Sequence, residues 1–299
     1  MRVFLTGATG FIGSAITEEL HSRGHTVAGL ARSDFAAAAL TAAGVEICPG
    51  DVAEPAKLAE FARASDGVIH CAFGHDFSRY AEMGELDLRA VLAMADALAG
   101  TGKPFIVTSG MTASSPGRAA TENEPAKTDG MSSVRGRPEA AAIAAAERGV
   151  RSVVVRLPPS VHDVDRQGLA SHMIALARET GVSAYIGEGA NVWSAVHRRD
   201  AARLYTLALE LGRPGERFHA VAEEGVTLRA IAEAIGAGLN LPVRSIPVAD
   251  AAAHFGWRMP FAMINADASS AITRERLGWE PCEPGLIEGL GGAYLQNLS

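Results

Sequence analysis

The stretch that decides the fold is TGATGFIG, Thr6–Gly13, which joins a short apolar segment to an amphipathic one. The preceding RVFLT, residues 2–6, has the apolar character of a buried strand. After the turn, Phe11 and Leu20 belong to a set of apolar residues at helical spacing, and Gly24 is a typical helix stop. The local sequence therefore predicts a strand, a glycine-rich turn and a helix in direct succession.

The same alternation of strand and helix continues along the first half of the chain. Its apolar segments are nearly continuous, as in parallel strands that helices cover on both faces. The fold class is therefore predicted to be α/β, with a doubly wound parallel sheet of the Rossmann type. The predicted strands are residues 2–6, 25–31, 45–51, 67–73, 104–110, 151–159 and 217–222.

After Pro159 the regular alternation gives way to helices mixed with loops. We expect a smaller C-terminal lobe that binds the substrate, made of residues 161–192 and 225–299. The dinucleotide-binding domain would comprise residues 1–160 and 193–224.

Composition and charge narrow the possible partners. The net charge of −7 disfavours a nucleic-acid or anionic-membrane surface, so a small-molecule substrate is expected. The sequence shows neither a leader peptide nor a membrane-length apolar run, which predicts a cytoplasmic protein. The three cysteines lack paired spacing and the nine histidines lack a convincing ligand pattern, so neither disulfides nor a metal site are predicted.

Gly7, Gly10 and Gly13 follow the first strand and open the first helix. Glycines permit a tight turn and close approach of a pyrophosphate, and the helix N-terminus supplies N–H donors and a partial positive charge. The context predicts a dinucleotide site, with a purely structural turn as the alternative.

The end of the second strand indicates which dinucleotide binds. An acidic residue there usually accepts hydrogen bonds from the ribose hydroxyls of NAD, whereas an arginine there accommodates the 2′-phosphate of NADP. Here Arg32 and Ser33 occupy this position, and Asp34 is interpreted as the cap of the next helix. The sequence favours NADP, unless Arg32 is only a solvated loop residue.

Several segments together resemble the short-chain dehydrogenase/reductase superfamily, in its extended or atypical branch of epimerase/dehydratase-like proteins. They are TGATGFIG, PGDV, VIHCA, IVTSG, VVVRLPP and AVHRRDAARLYTLALE, and the resemblance covers essentially the whole chain. It implies a possible homodimer and a set of cofactor contacts. These are Thr9, Phe11 and Ile12 in the turn, Asp51 and Val52 at the adenine, Cys71, Ala72 and Phe73 along the diphosphate and ribose, and Pro158 near the nicotinamide.

Two of these positions have structural alternatives. Asp51 could serve only as a strand-end cap, and Cys71 could be a small buried core residue.

The active-site motif of that superfamily is missing. Active members have a Tyr-x-x-x-Lys pair in which the lysine binds the nicotinamide ribose and the tyrosine supplies the proton. No tyrosine of this chain has a lysine four positions later, and the family spacing places Met131 and Arg135 at the two positions. Arg135 keeps the charge that holds a ribose, but a guanidinium stays protonated and cannot exchange a proton near neutrality.

The remaining catalytic positions are open at the level of sequence. The serine that polarises the substrate oxygen aligns with Ser109, Gly110 or Thr112. A substitute proton donor could be His75, which follows the fourth strand, with His162 and His197 as further candidates.

Aromatic residues of the second lobe suggest where a substrate would bind. In the family that the chain resembles, this lobe sets the substrate specificity. We expect an apolar wall of the cleft there, unless these side chains simply form the core of the lobe. They are Trp193, Phe255, Trp257 and Phe261.

Three functions are compatible with this pattern. The first is an NADP-dependent oxidoreductase that acts on a carbonyl or alcohol of a small molecule through a non-standard active site. The second is a non-catalytic NADP-binding sensor or regulatory protein. The third is an epimerase or dehydratase that works through transient hydride transfer.

Overall fold

The computed structural model describes residues 1–74, 79–111 and 117–295. Strands and helices alternate along the chain, with short 3-10 turns between some of them. The strands are β1 Arg2–Thr6, β2 Thr26–Ala31, β3 Glu46–Pro49, β4 Gly67–His70, β5 Pro104–Gly110, β6 Arg151–Leu157, β7 Ser160–His162, β8 Ser183–Ile186, β9 Val192–His197, β10 Arg217–His219, β11 Glu223–Thr227 and β12 Val243–Ile246.

The α-helices vary from short single turns to a helix of 19 residues. They are α1 Phe11–Ser22, α2 Asp34–Ala42, α3 Pro55–Arg63, α4 Tyr80–Leu98, α5 Ser133–Ala144, α6 Ala170–Thr180, α7 Arg198–Leu211, α8 Leu228–Leu239, α9 Ala251–Phe255, α10 Met259–Met263, α11 Ala271–Leu277 and α12 Leu286–Gly291.

Seven strands form one parallel sheet in the order β10-β6-β5-β4-β1-β2-β3. Apolar cores lie on both of its faces. One core includes Ile16 of α1 and Leu204 of α7, and the other includes Leu58 of α3 and Met94 of α4. The predicted doubly wound parallel α/β fold is confirmed, because strands buried on both faces need helices on both sides.

The strand predicted near residues 217–222 is confirmed as β10, which pairs with β6 at the edge of the large sheet. One local prediction was wrong. Ser33 is the N-cap of α2, since its hydroxyl accepts a hydrogen bond from the amide of Ala36, and Asp34 is the first helical residue. A serine in extended backbone can serve as the cap, and the acidic residue then lies in the first turn, where the helix dipole favours it.

The C-terminal half adds two small sheets, ordered β11-β9-β7 and β12-β8. A third apolar core fills this region and includes Trp193, Ile231 and Phe255. Leu277 and Trp279, although late in the chain, pack into the core beside α1 and α7 instead. The two-domain division predicted from the sequence stays a prediction. No helix in the described parts of the chain is long and apolar enough to cross a membrane.

Candidate cofactor and substrate site

The glycine turn is packed directly against the end of β4. Gly7 has a φ of +76°, and a Cβ there would lie 2.9 Å from the amide nitrogen of Ala72. A Cβ on Gly13 would lie 2.0 Å from the carbonyl oxygen of Gly7. Thr6 Oγ1 accepts hydrogen bonds of 3.2 Å from the amides of Cys71 and Ala72. Side chains are therefore excluded at Gly7 and Gly13, which leaves the backbone there accessible to a ligand.

The turn ends at Gly10, the N-cap of α1, whose backbone is extended. Glycine has no side chain, so no side chain of the cap residue bonds the free amides at the start of the helix. A pyrophosphate fits this combination of a helix N-terminus and missing Cβ atoms.

The other predicted cofactor residues follow the carboxyl ends of neighbouring strands. Arg32 and Ser33 come after β2, Asp51 and Val52 after β3, Cys71, Ala72 and Phe73 after β4, and Pro158 after β6. Because these strands are parallel members of one sheet, the residues lie along one edge of it, where ligands bind in such folds. Their individual contacts with a cofactor stay predictions.

Arg32 and Asp51 differ in their surroundings. Arg32 is exposed at the end of β2. The Asp51 carboxylate accepts a 2.9 Å hydrogen bond from the amide of Ala53, while the Asp51 amide donates to Glu54 Oε2 at 2.8 Å. Asp51 thus takes part in the local turn before α3, and its contact with the adenine stays a prediction.

Several neighbouring residues contact the charged side chain of Arg135 at this site. Its Nη1 donates a 2.8 Å hydrogen bond to Asp87 Oδ2, and its Nη2 donates a 2.6 Å bond to the carbonyl oxygen of Thr108. The guanidinium also lies over the ring of Phe73, 4.2 Å from its centroid. Two acceptors and a ring face fix the orientation of this planar cation.

A buried chain of polar groups extends behind Arg135. His70 Nε2 lies 2.9 Å from Asp87 Oδ1, and His70 Nδ1 lies 2.7 Å from Thr6 Oγ1. The His70 and Asp87 side chains are 1% and 2% exposed, so the chain is shielded from water. It connects Arg135 to Thr6, which in turn binds the amides at the end of β4.

Sequence reasoning missed Asp87 and His70. A weak signal was present, because Asp87 shares a helix face with the buried residues Gly84 and Val91. A carboxylate on a buried helix face needs a partner, and so does a histidine inside a buried strand such as β4.

The predicted catalytic residues have different outcomes. Ser109 is buried at the end of β5, and its Oγ lies 3.5 Å from the carbonyl oxygen of Arg135. Met131, at the position of the missing tyrosine, is 64% exposed in the turn before α5. Thr112 and His75 lie outside the described residues. Ser109 and Arg135 are therefore brought together, and their catalytic roles stay predictions.

Cys71 lies beside a buried hydroxyl pair. Thr108 Oγ1 and the Tyr205 hydroxyl are 2.7 Å apart. Burial raises the pKa of the Cys71 thiol and raises the pKa of the Tyr205 phenol well above its ordinary value. Neither group is suited to ionise near neutrality.

Two arginines flank Phe11 in the first turn of α1. Their guanidinium carbons lie 5.8 Å (Arg166) and 5.0 Å (Arg198) from the centroid of its ring. Arg198 Nε lies 2.6 Å from Asp163 Oδ2, and His197 Nε2 lies 3.3 Å from Asp163 Oδ1. Their positions in the sequence gave no reason to expect these arginines together.

The two further histidine candidates are enclosed. His162 is fully buried, and its Nδ1 lies 2.9 Å from the hydroxyl of Tyr294. His197 is the N-cap of α7, and burial lowers its pKa although Asp163 opposes this shift. Within residues 1–74, 79–111 and 117–295, no group of three or more histidine, cysteine or acidic side chains could hold a metal ion.

The aromatic residues of the second lobe divide into two groups. Trp193 and Phe255 belong to the third core, so for them the expected place in a cleft wall was wrong and the core alternative holds. Trp257 is 49% exposed and contacts Phe261 edge to face at 6.2 Å.

The parallel sheet, its strand order and the glycine turn define a Rossmann-like dinucleotide fold of the short-chain dehydrogenase/reductase type. The chain belongs to the NAD dependent epimerase/dehydratase family, whose sequence profile matches residues 3–221. Membership in this family indicates an oxidoreductase-like role that involves a nicotinamide dinucleotide.

Two curated relatives span nearly the whole chain. The uncharacterized protein YLL056C of Saccharomyces cerevisiae is 42% identical, over 99% of this chain and 100% of its own length. The uncharacterized protein C2A9.02 of Schizosaccharomyces pombe is 43% identical, over 97% of this chain and 98% of its own. Among solved structures, a dTDP-glucose 4,6-dehydratase from Streptomyces venezuelae with NAD and TYD bound has a TM-score of 0.79 and 19% identity, covering 99% of this chain and 96% of that one. The structural likeness supports the fold.

Proposed function

We propose that the protein is an NADP-dependent oxidoreductase that reduces a carbonyl, or oxidises an alcohol, on a small molecule. The observation that carries this proposal is the fixed position of Arg135. Asp87 and the Thr108 carbonyl accept hydrogen bonds from its guanidinium. Arg135 also lies beside Phe73 and Ser109. None of these contacts requires the substrate to be a sugar diphosphate.

The bound dinucleotide would supply or accept hydride at its nicotinamide ring. The residues of this chain do the rest. The glycine turn holds the pyrophosphate, Arg135 binds the nicotinamide ribose, and Ser109 polarises the substrate oxygen. A guanidinium suits the ribose contact because it stays charged and offers donors in a fixed plane.

Arg32 supports the choice of NADP over NAD. It is exposed at the end of β2, where the 2′-phosphate of NADP would lie. A hydrogen bond between a guanidinium and a phosphate is charge-assisted, and the adjacent Ser33 carries no charge that would repel a phosphate.

An epimerase or dehydratase is the second candidate, favoured by the family to which the chain belongs. Such an enzyme would hold a transient keto intermediate and return the cofactor to its starting state. A dinucleotide-binding protein without catalysis is the third.

Titration with NADPH, followed by assays of absorbance at 340 nm with a panel of aldehydes and ketones, separates these functions. Wild type should bind NADPH and oxidise it with at least one carbonyl. Arg135→Ala should raise the Kd for NADPH about tenfold or more, since hydrogen bonds to charged groups are worth about 1.5–3 kcal/mol.

Arg137→Ala is the matched control, because Arg137 lies on the same helix but its exposed side chain pairs with Glu85. It should leave the Kd unchanged within a factor of about two. Tight NADPH binding without turnover on the whole panel would contradict the oxidoreductase. Conversion of a substrate without net change of NADPH would favour the epimerase.

A further inference from the structure

The chain has four tyrosines, and all of them lie among the described residues. Tyr205 is fully buried against Thr108, and Tyr294 is buried against His162. Tyr185 lies in β8, beneath the guanidinium of Arg229 at 5.7 Å. The fourth, Tyr80, is the first residue of α4 and is partly exposed.

Tyr80 and Arg135 both contact the ring of Phe73. The Tyr80 ring meets Phe73 edge to face, with centroids 5.9 Å apart, and the Arg135 guanidinium lies on Phe73 at 4.2 Å. Tyr80 also lies on the α4 face that carries Asp87, the carboxylate partner of Arg135. A phenol and a fixed cation are thus brought to one side of the site by two different helices.

The charges around Tyr80 indicate its protonation state. Burial raises the pKa of the Tyr80 phenol, Arg135 opposes the shift, and Asp87 adds to it. The net shift is upward, so the phenol keeps its proton at neutral pH and is an acid rather than a base.

We infer that Tyr80 replaces the missing tyrosine as the proton donor to the substrate oxygen, an inference that rests on the proposed oxidoreductase function. Bound NADPH would supply hydride to the carbonyl carbon of the substrate, and Tyr80 would give its phenolic proton to the carbonyl oxygen. The carbonyl would thereby become an alcohol and NADPH would become NADP⁺, while the phenolate would regain a proton from water. A protonated phenol can serve as the general acid that carbonyl reduction needs.

Two variants test the assignment in the full-length protein, with 4-nitrobenzaldehyde included among the carbonyl probes. Tyr80→Phe removes only the hydroxyl, and Tyr185→Phe is the matched control in β8. Loss of a general acid typically costs about 10²–10⁴-fold in rate, so Tyr80→Phe should lower kcat by at least about 100-fold. The Kd for NADPH should stay within a factor of about two in both variants, and Tyr185→Phe should keep its kcat.

A second measurement does not depend on turnover. The phenolate absorbance at 295 nm, taken as wild type minus Tyr80→Phe, follows the ionisation of Tyr80. Arg135→Gln should move this titration to higher pH, because it removes a positive charge that stabilises the phenolate.

The outcomes are distinguishable. Wild-type turnover that Tyr80→Phe leaves intact would overturn the assignment of Tyr80 but not the proposed function. A parallel loss of NADPH binding and kcat in Tyr80→Phe would assign Tyr80 a structural role instead. An unchanged titration in Arg135→Gln would also overturn the assignment. Absence of turnover by the wild type with every probe would overturn both proposals.

Discussion

Arg135 Nη1 and Asp87 Oδ2 are 2.8 Å apart, although the two residues are 48 positions apart in the chain and lie on different helices. The Asp87 carboxylate is 2% exposed and also contacts His70. This ion pair orients the cation that we propose as the partner of the nicotinamide ribose.

Asp87→Ala should strongly destabilise the protein. It leaves Arg135 and His70 without their shared acceptor, and removal of one partner from a buried pair costs about 3–5 kcal/mol. Denaturant unfolding of wild type and variant measures the difference. Asp96 lies on the same helix as Asp87 and forms an exposed ion pair with Arg148. Asp96→Ala should therefore cost only about 0–1 kcal/mol. Equal effects of the two variants would refute the special role of Asp87.

Gly13→Ala should damage the turn. Its Cβ would lie 2.0 Å from the Gly7 carbonyl oxygen, so the backbone must shift. Overpacking of this kind typically costs about 1–3 kcal/mol, and we expect a lower Tm together with loss of NADPH binding. Gly291→Ala has open space around its Cβ and should change neither quantity.

Arg32→Ala should change the preference between dinucleotides. We expect the Kd for NADP to rise about tenfold and the Kd for NAD to change little, because only NADP carries the 2′-phosphate. Calorimetric titrations with both dinucleotides provide the measurement. Arg148→Ala is the control, because Arg148 is exposed in the segment before β6. It should leave both affinities unchanged. Tighter binding of NAD than of NADP by wild type would contradict the proposed specificity.

Asp163→Asn should lower stability in a pH-dependent way. Burial raises the pKa of the Asp163 carboxyl, but the Val164 amide and the nearby His197 and Arg198 outweigh it, so the pKa lies below its ordinary value. A depressed folded-state pKa stabilises the protein above the unfolded value of about 3.9, and this contribution is lost as the pH falls through the folded pKa.

The difference in unfolding free energy between wild type and Asp163→Asn should therefore be present at pH 7 and shrink below about pH 4. Asp165→Asn, at an exposed neighbouring position, is the control and should change the unfolding free energy little. A constant difference for Asp163→Asn across this range would argue against the ion pair.

Part of the candidate site was predictable from local sequence. The glycine turn and Arg32 could be found because each directly follows a strand, whereas Arg135 was found through the spacing of the family that the chain resembles. Asp87, His70 and Tyr80 could not be found in this way. Their importance comes from contacts with residues on other elements, and spacing along the chain does not specify which helix faces meet.

By itself, the sequence determined the alternating fold, the glycine turn and the absence of a Tyr-x-x-x-Lys pair. These follow from periodicity, from the backbone freedom of glycine and from residue identity, all of which are local. Only the tertiary structure decided that Asp87 holds Arg135, that Phe73 lies between Arg135 and Tyr80, and that Trp193 and Phe255 belong to a core. Such choices depend on how the helices pack on the sheet, because burial and charge pairing select partners that are distant in sequence.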